Sequence, residues 1–218
     1  MGRAPPIALP TVRPIVESVS HSVPSSASPP AELFRSLASV LQHLGAGWYV
    51  FGAQAVLLWG RPRFTADVDV TVRLDPEIPA PFVAAMERAG FTLRVAMDSG
   101  FVEQTRVLPF IHTPTGWPLD VVLAGPGLEE LFISQAVDVD LGDGVHVPVI
   151  RPEDLIVTKI LAGRPKDIDD VRGVLLERLA KLDLESIRTT LGLLEDALAV
   201  SDLRSVFEAE LARARRTR

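Results

Sequence analysis

"FGAQAVLLWGRPRFTADVDVTV", Phe51 to Val72, opens on a glycine turn and ends on two aspartates that alternate with valines. The alternation predicts a β-strand over Asp67 to Arg73, and residues i and i+2 of a strand project to the same side, about 7 Å apart. Asp67 and Asp69 therefore share one face, and Val68, Val70 and Val72 share the other. Like charges so placed repel, and a partly buried carboxylate must be paired or must coordinate a cation. A pair of Mg²⁺ ions roughly 4 Å apart, or Mn²⁺ in their place, meets both demands if one further carboxylate joins. Asp120 in "GWPLDVVLA" is the natural third, because it interrupts another strongly apolar strand. The bland alternative is a solvated edge strand, with Asp120 marking a strand end.

Composition narrows the chemistry. The chain has 218 residues, is 47% hydrophobic and 23% charged, and carries a net charge of −6, as an ordinary globular protein does. Its acidity argues against non-specific coating of nucleic acid or anionic membrane. There is no cysteine, which excludes disulfides and thiolate metal sites and is compatible with the cytoplasm. His21, His43, His112 and His146 are scattered without ligand spacing, which leaves oxygen donors and hard cations. No apolar run approaches the roughly 20 residues that span a bilayer, so no membrane partner is expected. The proline-broken N-terminus lacks the apolar stretch of a signal peptide.

Around that stretch the chain divides into three expected regions. Residues 1–30, rich in Pro and Ser, read as a disordered or loosely packed leader closed by Pro29-Pro30. Residues 31–150 read as an α/β core. Its elements are a helix through Leu33 to Leu44, the strand "WYVF", a helix "GAQAVLLWG", the acidic strand and a helix over Pro81 to Ala89. There follow a strand "FTLRVA", a hairpin around a Thr-Pro-Thr-Gly turn, a helix near Leu128 to Gln135, and a small hairpin tipped by Asp143-Gly144. Residues 151–218 read as helical throughout and form a C-terminal helical bundle. The fold class is thus α/β (α+β): a mixed sheet flanked by helices.

Several other residues bear on the same site. Gly52 opens a helix after a buried strand, where free N–H groups favour phosphate, although glycine also starts helices for steric reasons. Arg61 and Arg63, with Thr65 beside them, either neutralise Asp67 or contact phosphate. Lys159 lies in the apolar "LIVTKILA" and either faces a cleft with an anionic partner or snorkels at a bundle edge. In "GRPKDIDDV", Asp167 either caps the next helix or belongs to the site, and Asp169 and Asp170 favour the helix's positive end.

Gly52-Ala53, then Asp67-Val68-Asp69, then Asp120 on a later strand resemble the signature of the DNA polymerase beta-like nucleotidyltransferase superfamily. The wording "GRPRFTADVDV" with "RPEDLIVTKILAGRPKDIDDV" looks most like its bacterial AbiEii/MenT-like group, which includes toxins of toxin–antitoxin systems. The resemblance runs over roughly Trp48 to Gly173. It implies Mg²⁺-dependent transfer of a nucleoside monophosphate from an NTP to a hydroxyl acceptor: RNA such as tRNA, a protein, or a small molecule such as an antibiotic. It implies that Asp67, Asp69 and Asp120 hold the metals and that Asp120 activates the acceptor. Gly52, Ala53, Arg63, Thr65, Lys159 and Asp167 would serve the nucleotide, with Asp170 as an alternative late aspartate. Ala53 departs from the small polar residue or glycine usual at that place, so any hydroxyl contact to phosphate is lost while backbone donation survives. That departure keeps a second expectation open, a catalytically silent protein that binds a partner such as an antitoxin. The basic tail of Arg213, Arg215, Arg216 and Arg218 mildly favours RNA as acceptor.

Overall fold

The computed structural model of the chain describes residues 29–63, 65, 67–74, 79–96, 100–142 and 144–217. The expected leader up to residue 28 lies outside them, as does Asp143. Pro29 and Pro30 do not close that leader but open helix α1 (Pro29–His43); proline suits a helix's first turn, where its missing N–H costs nothing. There follow β1 (Trp48–Phe51), α2 (Gly52–Trp59), β2 (Val68–Val72), α3 (Pro79–Arg88), β3 (Phe91–Leu93), α4 (Phe101–Thr105), β4 (Val107–His112) and β5 (Trp117–Leu123). Then come α5 (Leu128–Gln135), β6 (Val137–Asp140), β7 (His146–Val149), α6 (Pro152–Ala162), α7 (Pro165–Arg178), α8 (Leu184–Leu198) and α9 (Leu203–Thr217).

Among the described residues seven strands form one mixed sheet in the order β3-β4-β5-β2-β1-β7-β6. The β1–β2 pair is antiparallel, whereas β2–β5 and β1–β7 are parallel. The acidic strand is therefore not at an edge: β2 lies between β1 and β5, which removes the solvated-edge alternative. Val68, Val70 and Val72 are fully buried in the core, together with Val121 and Leu119 of β5. On the opposite face Thr71 is buried too, against Tyr49, whereas Asp69 is half-buried and Asp67 exposed at the start of the strand.

Two expected boundaries are corrected. Asp67 stands one residue before β2 rather than inside it. The strand expected over "FTLRVA" stops at Leu93, although Arg94 still donates its backbone N–H to Pro109 (2.8 Å). The short helix α4 has no counterpart among the expected elements.

From Pro152 the chain is helical, as its periodicity predicts. Gly163 ends α6 in the left-handed conformation (φ 64°), and Pro165 starts α7 one residue after Arg164. This "Gly-Arg-Pro" reversal follows from residue type, since glycine accepts positive φ and proline pre-sets the first helical turn. It brings the last turn of α6 against the first turns of α7. Helix α2 docks on α7 through Trp59, whose indole N–H donates to the Ile150 carbonyl (2.7 Å) while the Arg178 guanidinium lies over its ring.

Candidate active site

The strand register brings together two of the three aspartates singled out in the sequence. Asp69 and Asp120 are direct partners across the parallel β2–β5 pair, and paired residues on neighbouring strands project to the same face. Asp67 lies at the mouth of the same strand, exposed, with its Oδ1 accepting from the Thr65 hydroxyl (2.6 Å).

The glycine turn meets this row from the other side. Phe51, the last residue of β1, is the partner of Asp69, so Gly52 falls directly against that carboxylate. Gly52 adopts φ 63°, and a methyl added there would press onto the Asp69 carboxylate, 2.8 Å from its Cγ. Glycine is thus required twice, for its backbone angle and for the close approach. The Ala53 N–H, expected to face phosphate, bonds Asp69 instead. The turn therefore aims the carboxylate, and does so through the backbone, so a residue without a hydroxyl suffices at Ala53.

Asp69 carries more negative charge than its surroundings neutralise. Burial, then the neighbouring Asp67 and Asp120 carboxylates, push its carboxyl up to about 6, against the opposing pull of Lys159 and the Ala53 N–H. Asp120 is bonded by the guanidinium of Arg94 (2.5 Å).

Lys159 has two anionic partners and does not snorkel. Its ammonium is buried and bonds Asp167 (3.0 Å) and Asp170 (2.8 Å). Arg63, expected at Asp67 or at phosphate, forks onto Asp170 (2.9 and 3.2 Å), and Arg164 forks onto Asp167. Burial raises the Asp167 carboxyl, but the bonds from Arg164 and Lys159 outweigh it and hold it below the usual carboxylate range. All four oxygens of Asp167 and Asp170 are bonded, so neither serves merely as a helix cap. Three cations face two carboxylates here, and the surplus positive charge is felt at Asp69.

The donor set of Asp67, Asp69 and Asp120 is all oxygen, which suits Mg²⁺ or Mn²⁺. Among the described residues no group of three or more His, Asp or Glu is gathered closely enough to enclose an ion by itself. Mg²⁺ commonly takes only one or two carboxylates, with waters and substrate phosphates completing its shell. The uncompensated charge at Asp69 fits such an ion. Arg94 is the participant that the sequence did not reveal: it lies near the end of an unremarkable alternating strand, and its partner is set by cross-strand register. In the basic tail, Arg213 is tied to Glu210 (2.6 Å), and Arg218 lies outside the described residues.

Residues 32–205 match the family described as nucleotidyltransferase of unknown function, DUF6036, and the chain belongs to that family. No curated protein matches it. Among solved structures, ANT(2'')-Ia in complex with adenylyl-2''-tobramycin is similar at a TM-score of 0.50 and 16% identity, over 84% of this chain and 98% of that one. An antigenic nucleotidyltransferase-like protein from Paracoccidioides brasiliensis is similar at 0.50 and 20% identity, over 82% and 92%. At these identities the likeness concerns the fold, a nucleotidyltransferase fold with its mixed sheet flanked by helices. Enzymes of this kind in general use divalent metal ions. Among the described residues no helix is long and apolar enough to cross a membrane.

Proposed function

We propose that this member of the nucleotidyltransferase family moves a nucleoside monophosphate from an NTP to a hydroxyl acceptor, with Asp67, Asp69 and Asp120 as its cation-holding carboxylates. The observation that carries this reading is the Asp69–Asp120 rung in the middle of the sheet, with Gly52 pressed onto Asp69. No structural need is met by placing two like charges side by side there, and among the described residues the fold gives Asp120 the single Arg94 pair and Asp69 no ion pair. Divalent cations, when bound, supply charge neutralisation for the triphosphate and the leaving pyrophosphate; we propose two Mg²⁺ ions. Asp120 accepts the proton of the attacking hydroxyl. The surplus positive charge of the Arg63–Lys159–Arg164 network, lying on the Asp69 side, attracts the triphosphate, and the exposed edge of Arg164 is the part of it best able to touch a phosphate oxygen. Residues 31–150 carry the site, and the helices of 151–218 close one side of its cleft.

The acceptor proposed here is RNA, for instance a tRNA 3′ end, with a protein or an antibiotic-like small molecule as the other classes. An AbiEii/MenT-like role in toxin–antitoxin defence in a bacterial cytoplasm, with an antitoxin as partner, belongs to the same proposal. One observation favours a silent, partner-binding protein instead: two of the three donors of the buried Lys159 ammonium are taken by Asp167 and Asp170, which ties it away from a phosphate.

Thermal unfolding with each NTP, with and without Mg²⁺, separates the two. A ligand at a hundred times its Kd that binds only the folded state adds about 2.7 kcal/mol. A Mg²⁺-dependent shift with one NTP, lost in Asp67→Asn/Asp69→Asn, is expected; no shift with any NTP leaves the silent reading.

A further inference from the structure

Three strands and the residue that follows β3 align Arg94, Pro109, Asp120 and Asp69 in a single row across the sheet. Arg94 pairs through its N–H with the Pro109 carbonyl, Pro109 is the partner of Asp120, and Asp120 is the partner of Asp69. Paired residues project to one face, so the Arg94 side chain reaches over Pro109 to the Asp120 carboxylate. Among the described residues, Arg94 is the cation that bonds directly to one of the three aspartates. Asp67 and Asp69 bond a hydroxyl and a backbone amide instead. The Arg94 and Asp120 side chains are 42% and 35% exposed, and an ion pair that open to water is weak enough for a competing cation to break.

We infer that Arg94 is a positioning residue for Asp120: it holds that carboxylate in the row while no divalent ion is there, and it must leave when one binds. The inference rests on the reading of Asp67, Asp69 and Asp120 as cation ligands. It deepens that reading by naming the residue against which the ion competes. Arginine suits the task because it remains charged at every working pH, and its Nη2 reaches one oxygen of the carboxylate, Oδ1. Pro109 suits the position between them, since its compact ring lets the guanidinium pass over it. On the opposite side of Asp69 the corresponding cations, Lys159 and Arg63, are locked to Asp167 and Asp170 and do not compete for the row. Competition at the site is therefore confined to its Arg94 end.

The test is Mn²⁺ binding, followed by electron paramagnetic resonance of free Mn²⁺ and needing no turnover, on the full chain and its Arg94→Gln, Arg94→Lys, Asp120→Asn and Arg94→Gln/Asp120→Asn variants. Far-ultraviolet circular dichroism checks that each is folded. Arg94→Gln removes both a competitor and a repulsive charge and is expected to tighten Mn²⁺ binding about fivefold to tenfold. Arg94→Lys, which keeps the charge, is expected to stay near wild type. In the Asp120→Asn background the Gln substitution is expected to change nothing, which isolates the pairwise effect. Unchanged or weaker binding in Arg94→Gln, with normal binding by wild type, overturns the role of Arg94 and leaves the carboxylate site standing. An equal gain from Arg94→Gln in the Asp120→Asn background shows a general field effect and also overturns it. No Mn²⁺ binding by any of the five proteins overturns the carboxylate site itself, and this inference with it.

Discussion

In the Lys159 network each carboxylate oxygen of Asp167 and Asp170 meets a cation, and the ammonium between them is buried. In the Asp69 row and Asp67 beside it, a neighbouring part of the same fold, three carboxylates have one directly bonded cation among the described residues, Arg94 on Asp120, and Asp69 is pushed up to about 6. Both set aspartates against arginine, and the first adds a lysine. They differ in what the chain supplies: the first cluster is closed by partners from α6, α7 and the loop before β2, and the second is left short of positive charge. A complete buried network is a structural element whose disruption costs stability. An incomplete one at the open end of a strand is where we propose that a cation and an anionic ligand bind.

Removing a member from each cluster is the sharpest way to break that contrast. Lys159→Met removes the ammonium that links two buried carboxylates, each of which keeps its arginine fork, and is expected to destabilise the fold by about 1.5–3 kcal/mol in urea unfolding. A loss under about 1 kcal/mol would place Lys159 with the open site. Asp120→Asn is expected to leave the unfolding midpoint nearly unchanged and to lower nucleotide transfer by about 100-fold or more, since it removes transition-state charge stabilisation. The assay is transfer of labelled nucleotide; an unaltered rate would mean that the row is not catalytic.

The pH dependence sharpens the comparison further. A carboxyl raised in the folded state favours folding below its unfolded value near 3.8, and that contribution is lost as pH rises through about 6. In EDTA, Asp69→Asn is therefore expected to match wild type below about pH 4. Above pH 6 it is expected to exceed wild type by about 2 kcal/mol, allowing for screening of a partly exposed group. With Mg²⁺ and the preferred NTP the order should invert, because ligand then stabilises only wild type. Asp167 is lowered, so its sign is opposite: its contribution is present above the ordinary carboxylate range and is lost as pH falls through its lowered value. The smallest effect is expected at Arg61, whose pair with Glu177 is long and exposed on both sides. Arg61→Ala should change stability by about 0.5 kcal/mol or less.

Much of the fold is legible in local signals. "WYVF" followed by glycine gives strand and helix; "PLDVVLA" gives a buried strand; "LAGRPKD" gives a helix stop and a helix start in close succession. The carboxylate trio is legible too, because an aspartate in an apolar strand needs a cation or a cationic side chain to offset its burial. Arg94 was not legible, since nothing within "FTLRVA" distinguishes it from a solvated strand residue. Arg63 and Lys159 could be singled out as charges in need of partners, but neither partner was fixed by spacing. Asp170 lies 107 residues from Arg63 along the chain.

The sequence by itself determined most of the helices and strands, α4 excepted, and which carboxylates lack an evident structural role, because periodicity, turn chemistry and the cost of burying charge act within a few residues. Tertiary structure alone decided which charges are neutralised and which remain open. That depends on strand register and on how two helices meet at Gly163-Arg164-Pro165, and a shift of one residue in register turns a side chain to the other face of the sheet.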